Sequence, residues 1–266
     1  MTSSTSMISV VIQTYNSERY LRQVLETVRC FDEIVICDMH STDSTIAIAE
    51  EFGCKIVYTE KIDICEPARN FAIQNASHEW ILLVDSDELI TPALKDYLYG
   101  FISKKTDIDA LFIPRKNYAW GKFMHGDYPN RVLRFFRKDK IDWPPYVHMA
   151  PHVDGKIMKI SGSRNDLAII HLYDYNVSGK LDKINLYAEH EIEKRKDENF
   201  SIAKAAFSSV HRFIKAYFLK GGFRDGKAGF VYAVMESIYK FISIAKIWEN
   251  NYRQNTEEKS SAENKQ

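Results

Sequence analysis

Short apolar runs alternate with amphipathic segments through the first hundred residues of the chain. The runs predict strands, and the segments between them carry apolar residues at helical spacing, which predicts helices. The predicted strands are Ile8–Gln13, Glu33–Cys37, Lys55–Tyr58 and Trp80–Val84. The predicted helices are Glu18–Val28, one from Ser41 or Thr42 to about Phe52, one from Pro67 to about Ala76, and one from Thr91-Pro92 to about Gly100. Repeated strand–helix units indicate a parallel sheet with helices on both faces.

Polar residues follow three of these predicted strands. Thr14, Asp38 and Asp85 each lie just past an apolar run. Right-handed crossovers place the carboxyl ends of parallel strands at one edge of the sheet, so we expect the three residues to line a common crevice. In open α/β sheets that edge is where ligands bind.

The pattern changes at about residue 109. The later predictions are strands at Ala110–Pro114, Val132–Arg137, Ile157–Ile160 and Leu167–His171, an aromatic loop at Tyr118–Lys122 and a stiff loop at Trp143–His148. From about Gly179 the chain is predicted to be helical, and Asn250–Gln266 is polar without periodicity, which favours disorder. We therefore expect an α/β domain at residues 1–178, a helical region at 179–249 and a disordered tail at 250–266.

The helical region contains an aromatic-rich amphipathic stretch at residues 213–248, with Lys215, Lys220 and Arg224 beside its apolar residues. Such a stretch can lie in a bilayer interface, and it can equally pack on the protein core. Charged residues such as Glu236 interrupt the pattern, and no window of about 18 uncharged apolar residues is present, so the sequence predicts no transmembrane helix.

Charge and cysteine content narrow the classes of function. Lys and Arg together number 36, as do Asp and Glu, and the resulting net charge of zero argues against a general nucleic-acid-binding protein. The four cysteines form no Cys-x-x-Cys pair and no Cys/His zinc spacing, which is typical of a reduced cytoplasmic protein. No secretory signal is predicted, because no basic segment precedes an apolar stretch at the N-terminus.

The candidate chemistry is concentrated at the end of the fourth predicted strand. Asp85, Asp87 and Glu88 directly follow the apolar run Trp80–Val84. Burying carboxylates beside an apolar layer is costly unless they are paired. Carboxylate oxygens suit Mg²⁺ or Mn²⁺, which typically bridge a protein carboxylate to a substrate phosphate. An ordinary acidic turn would show the same short pattern, so the remaining segments must decide.

Four segments carry a family resemblance through their order and spacing. They are Ile8–Asn16, Glu33–Thr45, Ala68–Asn70 and Asp85–Glu88. Together they resemble family 2 glycosyltransferases of the GT-A fold, strongly over about residues 7–115. Later segments, among them Asn130–Phe136 and Gly222–Phe230, look like the branch that includes lipopolysaccharide core glucosyltransferases. The resemblance implies a Rossmann-like, mostly parallel sheet with helices on both faces, plus a C-terminal helical extension.

The resemblance also implies transfer of a sugar from a nucleotide-sugar with inversion at the anomeric carbon. The implied nucleotide-sugar-binding residues are Thr14, Tyr15, Asn16, Asp38, Arg69 and Asp85. Asp38 would accept a hydrogen bond from the base, Arg69 would contact the nucleotide or pair with an acid, and Asp85 would bind the ribose or the water shell of the metal. Asp87, joined by His171, would bind Mg²⁺ or Mn²⁺. A structural role for His171 stays open.

Inversion needs a base that accepts the proton of the attacking hydroxyl. The resembled group commonly shows Val-His-Glu where this sequence has Val147-His148-Met149, and Met149 cannot accept a proton. Asp154 is the first candidate for the base and Asp127 is the second. A simple hairpin turn is the alternative for Asp154, because Asp-Gly is a strong turn signal.

Three other classes of protein share part of this pattern. A haloacid-dehalogenase-type phosphatase wants its acidic pair at the first strand and a Thr or Val four residues on, where this chain has Leu89 after the fourth strand. A nucleotidyltransferase wants a Gly-rich basic loop after the first strand, and Gln13–Glu18 contains neither Gly nor Lys. A catalytically silent glycosyltransferase-like domain stays open, because Met149 replaces the expected acid.

The sequence thus predicts a metal-dependent inverting glycosyltransferase at the cytosolic face of a membrane, where it would build a surface glycan such as a lipopolysaccharide core. The predicted partners are a nucleotide-sugar, by family default a UDP-hexose, and a glycan or glycolipid acceptor. Peripheral membrane contact rests on residues 213–248, and no nucleic acid is expected.

Overall fold

The computed structural model describes residues 7–61, 66–104, 106–143, 151–172, 176–195 and 201–263. The chain divides into two compact units. The first comprises residues 1–118 and 128–173, and the second comprises residues 119–127 and 174–266. The short segment 119–127 therefore belongs with the helical unit, although the division predicted at residue 178 assigns it to the α/β domain.

The largest feature of the first unit is a mixed sheet. The described strands of the chain are β1 Ile8–Thr14, β2 Glu33–Asp38, β3 Lys55–Tyr58, β4 Trp80–Asp85, β5 Glu88–Leu89, β6 Ala110–Ile113, β7 Arg115–Ala119, β8 Lys122–Phe123, β9 Val132–Arg137, β10 Ile141–Asp142, β11 His152–Val153, β12 Ile157–Lys159 and β13 Ile169–Leu172. Seven of them form one sheet in the order β12-β6-β9-β4-β1-β2-β3. Strand β9 runs antiparallel to β4 and β6, and the other pairs are parallel. The predicted mostly parallel α/β fold is confirmed.

Strand β1 is the topological switch point of this sheet, because the chain continues from it to β2 and β3 on one side and to β4 on the other. The register sets Thr14 opposite Asp38 and Gln13 opposite Asp85. The ends of β1, β2 and β4 therefore meet at one edge of the sheet, as the strand–helix alternation predicts. Such a switch point is the usual ligand-binding crevice of an open α/β sheet.

The helices largely follow their predicted bounds. The described α-helices are α1 Glu18–Val28, α2 Thr45–Glu51, α3 Glu66–Gln74, α4 Pro92–Ile102, α5 Val177–Arg195, α6 Ile202–Ile214 and α7 Gly226–Glu263. Helix α2 starts later than predicted, because Ser41 turns back to Asp38 instead of starting the helix. At the start of α4, the Thr91 hydroxyl accepts a hydrogen bond from the N–H of Leu94 at 3.1 Å, which stabilises the helix terminus.

Apolar residues cover both faces of the large sheet. Val10 and Ile12 of β1 pack in one buried cluster, and Val11 between them packs in the other. All three side chains are fully buried, because successive residues of a strand point to opposite faces. This explains why β1 and β4 are continuous apolar runs and not alternating ones.

A smaller sheet of the first unit extends from the end of β4. Its strands β5, β13 and β7 are neighbours in that order. The register sets His171 of β13 opposite both Glu88 of β5 and Asn117 of β7. The loop predicted at Tyr118–Lys122 is wrong in extent, because β7 continues to Ala119 and the turn is limited to Trp120 and Gly121.

The second unit is mainly helical. Helix α7 packs against α5 and α6, and Ala205, Ile244 and Ile247 are buried where they meet. Helix α6 continues into a π-helical turn at Lys215–Leu219, and a 3-10 turn at Gly222–Asp225 leads into α7.

The end of helix α7 differs from the prediction. The helix continues to Glu263 through most of the stretch that the sequence predicts to be disordered. The Glu, Lys, Gln and Arg residues there are good helix formers, and they extend a helix that is already nucleated by packed residues. Residues Gly222–Gln254 are long and apolar enough to cross a membrane by length and composition, although the core helix of a soluble protein can be equally long and apolar, and 33% of the most apolar stretch is buried. The sequence predicts no such helix, because charged residues such as Glu236 interrupt the apolar pattern.

Candidate active site

The carboxylate of Asp38 joins the ends of β1 and β2. Asp38 is completely buried, and its Oδ1 accepts hydrogen bonds from Thr14 Oγ1 at 2.7 Å and from Ser41 Oγ at 2.6 Å. Its Oδ2 accepts a hydrogen bond from the backbone N–H of Ser41 at 2.7 Å. A carboxylate oxygen has two lone pairs, so Oδ2 retains the capacity to accept one more N–H. The structure thus brings together Thr14 and Asp38, two of the predicted nucleotide-binding residues.

Asn16 ties the loop after β1 to the loop after β2. Its Oδ1 accepts a hydrogen bond from the N–H of Thr42 at 2.8 Å, and its own N–H donates to Ser41 Oγ at 2.9 Å. Its φ of 46° is left-handed, a conformation that asparagine adopts more readily than most residues. The neighbouring Tyr15 is 41% exposed, and the ammonium of Lys61 lies 4.2 Å from the centre of its ring. An aromatic side chain is therefore accessible beside the Asp38 cluster.

A buried ion network lies behind the end of β4. Arg134 of β9 donates from Nη2 to Asp85 Oδ2 and, at 3.0 Å, to Glu88 Oε1. Arg115 of β7 donates to the same Glu88 oxygen at 3.0 Å. Glu88 is completely buried, and its other oxygen accepts the N–H of Asp85 at 3.0 Å. Two guanidinium groups therefore neutralise two carboxylates and hold the end of the strand.

Arg69 of α3 contacts the same aspartate. Its Nη2 lies 3.7 Å from Asp85 Oδ1, and its Nε donates to Gln13 Oε1 at 3.3 Å. The guanidinium carbon is 4.5 Å from the centre of the Trp143 ring, within the range of a cation–π contact. Arg69 therefore pairs with an acid, which is one of the two roles that the sequence leaves open.

These contacts determine the charge of Asp85. Burial by itself would raise the pKa of this carboxyl group, but Arg134, Arg69 and Arg115 together lower the pKa to about 2. Burial also opposes the charge of Arg134, yet Asp85 and Glu88 raise the pKa of its guanidinium above the usual value. Asp85 is therefore an anion at neutral pH, and its charge is balanced by the protein itself.

Asp87 lies outside this guanidinium network. Its side chain is 31% exposed, and its Oδ2 is 3.3 Å from Nε2 of His171. The other ring nitrogen of His171, Nδ1, donates to Oδ1 of Asn117 at 2.8 Å. Because Nδ1 is engaged with Asn117, Nε2 is the ring nitrogen that faces the carboxylate oxygen, and either a proton or a metal ion between the two atoms makes this contact attractive.

The spacing of this pair fits a divalent cation. Neighbouring ligands of an octahedral ion with bonds of about 2.1 Å are about 3 Å apart, close to the 3.3 Å between Asp87 Oδ2 and His171 Nε2. Across the described ranges, no group of three or more His, Cys, Asp and Glu residues is arranged to hold a metal. Mg²⁺ usually takes only one or two protein carboxylates and completes its shell with water and substrate phosphates. Asp87 and His171 are therefore suited to supply part of a shell that a diphosphate completes.

The two candidate bases have other surroundings. Asp154 follows β11, and its 78% exposed side chain pairs with Lys140 Nζ at 3.1 Å. The described hydrogen bonds and ion pairs of Asp154 do not join it to Asp85 or Asp87. Asp127 belongs to a 3-10 turn, His125–Asp127, of the second unit. The Val147-His148-Met149 segment lies outside the described residues.

Sequence analysis does not identify Arg134 and Asn117 as part of this site. Arg134 had a detectable signal, because it lies inside the apolar strand Val132–Arg137, with Leu133 before it and Phe135 and Phe136 after it. A cation in such a strand requires a buried acid as its partner. Asn117 has no comparable signal, since nothing in its local sequence indicates the histidine that it orients.

Comparisons with known proteins agree with the expected enzyme class. The chain matches the model "Glycosyl transferase family 2" over residues 9–165. The lipopolysaccharide core biosynthesis glycosyltransferase LpsC of Rhizobium meliloti is 27% identical over 264 residues, which cover 92% of this chain and 93% of that protein. An uncharacterized glycosyltransferase of Rickettsia typhi is 25% identical over 91% of this chain and 87% of that protein.

Among solved structures, residues 1–349 of Staphylococcus aureus TarS align with a TM-score of 0.49 and 19% identity, over 94% of this chain and 92% of that chain. The match to the family model spans more than half of the chain. The protein is therefore a glycosyltransferase, and it belongs to glycosyl transferase family 2.

Proposed function

We propose that the protein is a metal-dependent inverting glycosyltransferase that transfers a sugar from a nucleotide-sugar to a surface glycan such as a lipopolysaccharide core. The proposal rests on one observation: Asp85 and Asp87, two neighbouring acids at the sheet edge, have different partners. Asp85 is neutralised by arginines, whereas Asp87 faces the ring nitrogen of His171. The similarity to the lipopolysaccharide core biosynthesis glycosyltransferase of Rhizobium meliloti supports this class of acceptor.

The nucleotide is proposed to lie at the carboxyl ends of β1 and β2. Oδ2 of Asp38 accepts an N–H of the base, the exposed ring of Tyr15 stacks on it, and Thr14 and Asn16 hold the surrounding loops. A uridine base is the default of the family. Arg69 is proposed to turn part of its guanidinium from Asp85 towards the diphosphate.

Asp87 and His171 are proposed to hold the metal, with Asn117 orienting the imidazole. The metal would supply neutralisation of the charge that develops on the departing diphosphate. Asp85, fixed by Arg134, orients the ribose or the water shell. Mg²⁺ prefers oxygen ligands throughout, whereas this pair includes an imidazole, so we expect Mn²⁺ to support the higher activity.

Inversion follows when the acceptor hydroxyl attacks the anomeric carbon from the face opposite the diphosphate. A protein base accepts the hydroxyl proton in that step, and Asp154 and Asp127 are the candidates. Loss of a general base lowers kcat by about a hundredfold or more. We expect this loss in Asp154→Asn or in Asp127→Asn, measured as sugar transfer at saturating donor, and unchanged activity in both variants would exclude both residues.

A catalytically silent nucleotide-binding domain is the second candidate, and the Met149 that replaces the expected acid favours it. The two candidates differ in turnover. An active enzyme hydrolyses the donor slowly even without acceptor, so UDP release from UDP-sugars with Mn²⁺ supports the transferase. Calorimetric binding of UDP and Mn²⁺ without any UDP release on a panel of donors would support the silent domain.

Asp87→Asn provides the central test. The substitution preserves the size of the side chain and removes the charge, so we expect metal-dependent turnover to fall by about a hundredfold or more while the melting temperature stays the same. Asp139→Asn is the matched control, because Asp139 is an exposed acid on a 3-10 turn of the same unit. Full Mn²⁺-stimulated activity in Asp87→Asn would remove this residue from the metal site.

We further propose that the enzyme works in the cytoplasm, at the inner face of the membrane where a glycolipid acceptor is accessible. The exposed apolar residues of the second unit support this location.

A further inference from the structure

Helix α6 and the turns after it expose an unusual number of large apolar side chains. Phe207 and Leu219 are each 74% exposed, Val210 is 58% exposed and Phe218 is 56% exposed. Phe207, Val210 and Ile214 are three or four residues apart and therefore share one side of α6. Clusters of exposed apolar side chains usually mark a surface that contacts another molecule. We call this surface, residues 207–223, the exposed apolar face.

The exposed charges of the segment that carries this face have a single sign. Residues 202–248 contain eight Lys and Arg residues and two acids, although the whole chain has equal numbers of each. Both acids are buried: Asp225 pairs with His125 at 2.5 Å, and Glu236 pairs with Lys180 and Arg212. The exposed formal charges of this segment are therefore all positive.

A cavity between α6, the π-helical turn and α7 adds a specific site to this surface. Its volume is about 360 Å³, and its lining includes Phe207, His211, Arg212, Lys215 and Lys240. No carboxylate is among the described residues that line it. Arg212 donates from Nη2 to Glu236, which does not line the cavity, and the rest of its guanidinium lies beside the ammonium-bearing residues Lys215 and Lys240. Guanidinium and ammonium groups that line one cavity are suited to a phosphate group. Phe207 places the apolar face directly at the edge of this cavity.

We propose that the exposed apolar face docks on an anionic lipid bilayer, with the phosphate of a lipid headgroup held in the cavity by Arg212 and Lys215. Aromatic and aliphatic side chains enter the headgroup region, and the surrounding cations are attracted to the negative surface. This inference rests on the proposed function for its biological purpose, because a glycolipid acceptor lies in the same bilayer. The surface itself involves only residues of the second unit.

The test is co-sedimentation of the full-length protein, without nucleotide, with phosphatidylcholine vesicles that contain or lack about one-third phosphatidylglycerol. We expect binding to the anionic vesicles and little binding to the neutral ones. Lys215→Gln should lower the partition coefficient about fivefold, since one cation near the surface has about that effect. Phe218→Ser should lower it about tenfold or more through loss of apolar burial. Both side chains are exposed, so melting temperatures should not change.

Lys104→Gln is the matched control, because Lys104 is an exposed lysine of the first unit and its removal changes the net charge equally. Equal binding to neutral vesicles, or equal loss in Lys215→Gln and Lys104→Gln, would overturn the proposal. Binding that survives both high salt and alkaline washing would also overturn it, because such retention indicates a helix inserted across the bilayer. UDP release from the donor, measured on the same variants, reports separately whether the proposed transferase activity is present.

Discussion

Replacement of Arg134 by Met tests whether the buried ion network holds the active-site edge together. The Arg134 side chain is 5% exposed, and it pairs with Asp85 and with the fully buried Glu88. Removing one partner of a buried ion pair typically costs about 3–5 kcal/mol, since the other charge stays buried and uncompensated. Arg115 remains 3.0 Å from Glu88, so we expect the lower end of that range, about 3 kcal/mol.

The pH dependence of this loss provides a second, independent signature. Asp85 has a pKa that the fold lowers from 3.8 to about 2, so its contribution to stability is complete above pH 3.8 and disappears as the pH falls towards 2. Because the Asp85 side chain is 34% exposed, solvent screens its charge, and its contribution to the free energy of unfolding is about 1 kcal/mol. The stability difference between wild type and Arg134→Met should therefore narrow below pH 3.8.

Urea unfolding followed by tryptophan fluorescence measures both effects, because Trp80 is buried on the neighbouring strand and stacks on Phe135 with ring centres 4.9 Å apart. Arg22→Met is the matched control, since Arg22 forms an exposed ion pair with Glu51 whose loss should leave the unfolding midpoint unchanged. A loss of less than about 1 kcal/mol in Arg134→Met at neutral pH, or a loss that does not vary below pH 3.8, would refute the network as the stabilising element.

The remaining predictions concern the nucleotide, the second unit and the thiols. Asp38→Asn should weaken UDP binding about tenfold, as measured by calorimetry, because one charge-assisted hydrogen bond to the base is lost. An unchanged affinity for UDP would argue against a contact between Asp38 and the base. Gly229→Ala should lower the melting temperature by several degrees, because a Cβ there would lie 1.9 Å from the carbonyl oxygen of Gly222, and an unchanged melting curve would contradict that packing. The exposed Cys30 should react with iodoacetamide in the folded protein. Cys37 should react only after unfolding, because burial shields its thiol and raises the pKa of the thiol to about 11. Peptide mapping of the alkylated protein checks both expectations.

Element order in the first unit follows closely from local sequence. Helix Glu18–Val28 and strands Lys55–Tyr58 and Val132–Arg137 have their predicted bounds, because their apolar spacing is strong and their termini are clear. The predicted bounds were wrong where the local sequence favours no single structure and packing against the rest of the fold decides the outcome. The polar stretch after Trp248 is helical to Glu263, since a long packed helix precedes it.

The placement of polar residues at the ends of β1, β2 and β4 was determined by the sequence itself, because parallel strands joined by helical crossovers must end at one edge. Which acid at that edge is neutralised was decided only by the tertiary structure. Arg134 is 49 residues from Asp85 in sequence, and it reaches this carboxylate because β9 pairs antiparallel with β4. A buried charge is stabilised by whatever opposite charge the fold brings to it, and no local pattern specifies that partner.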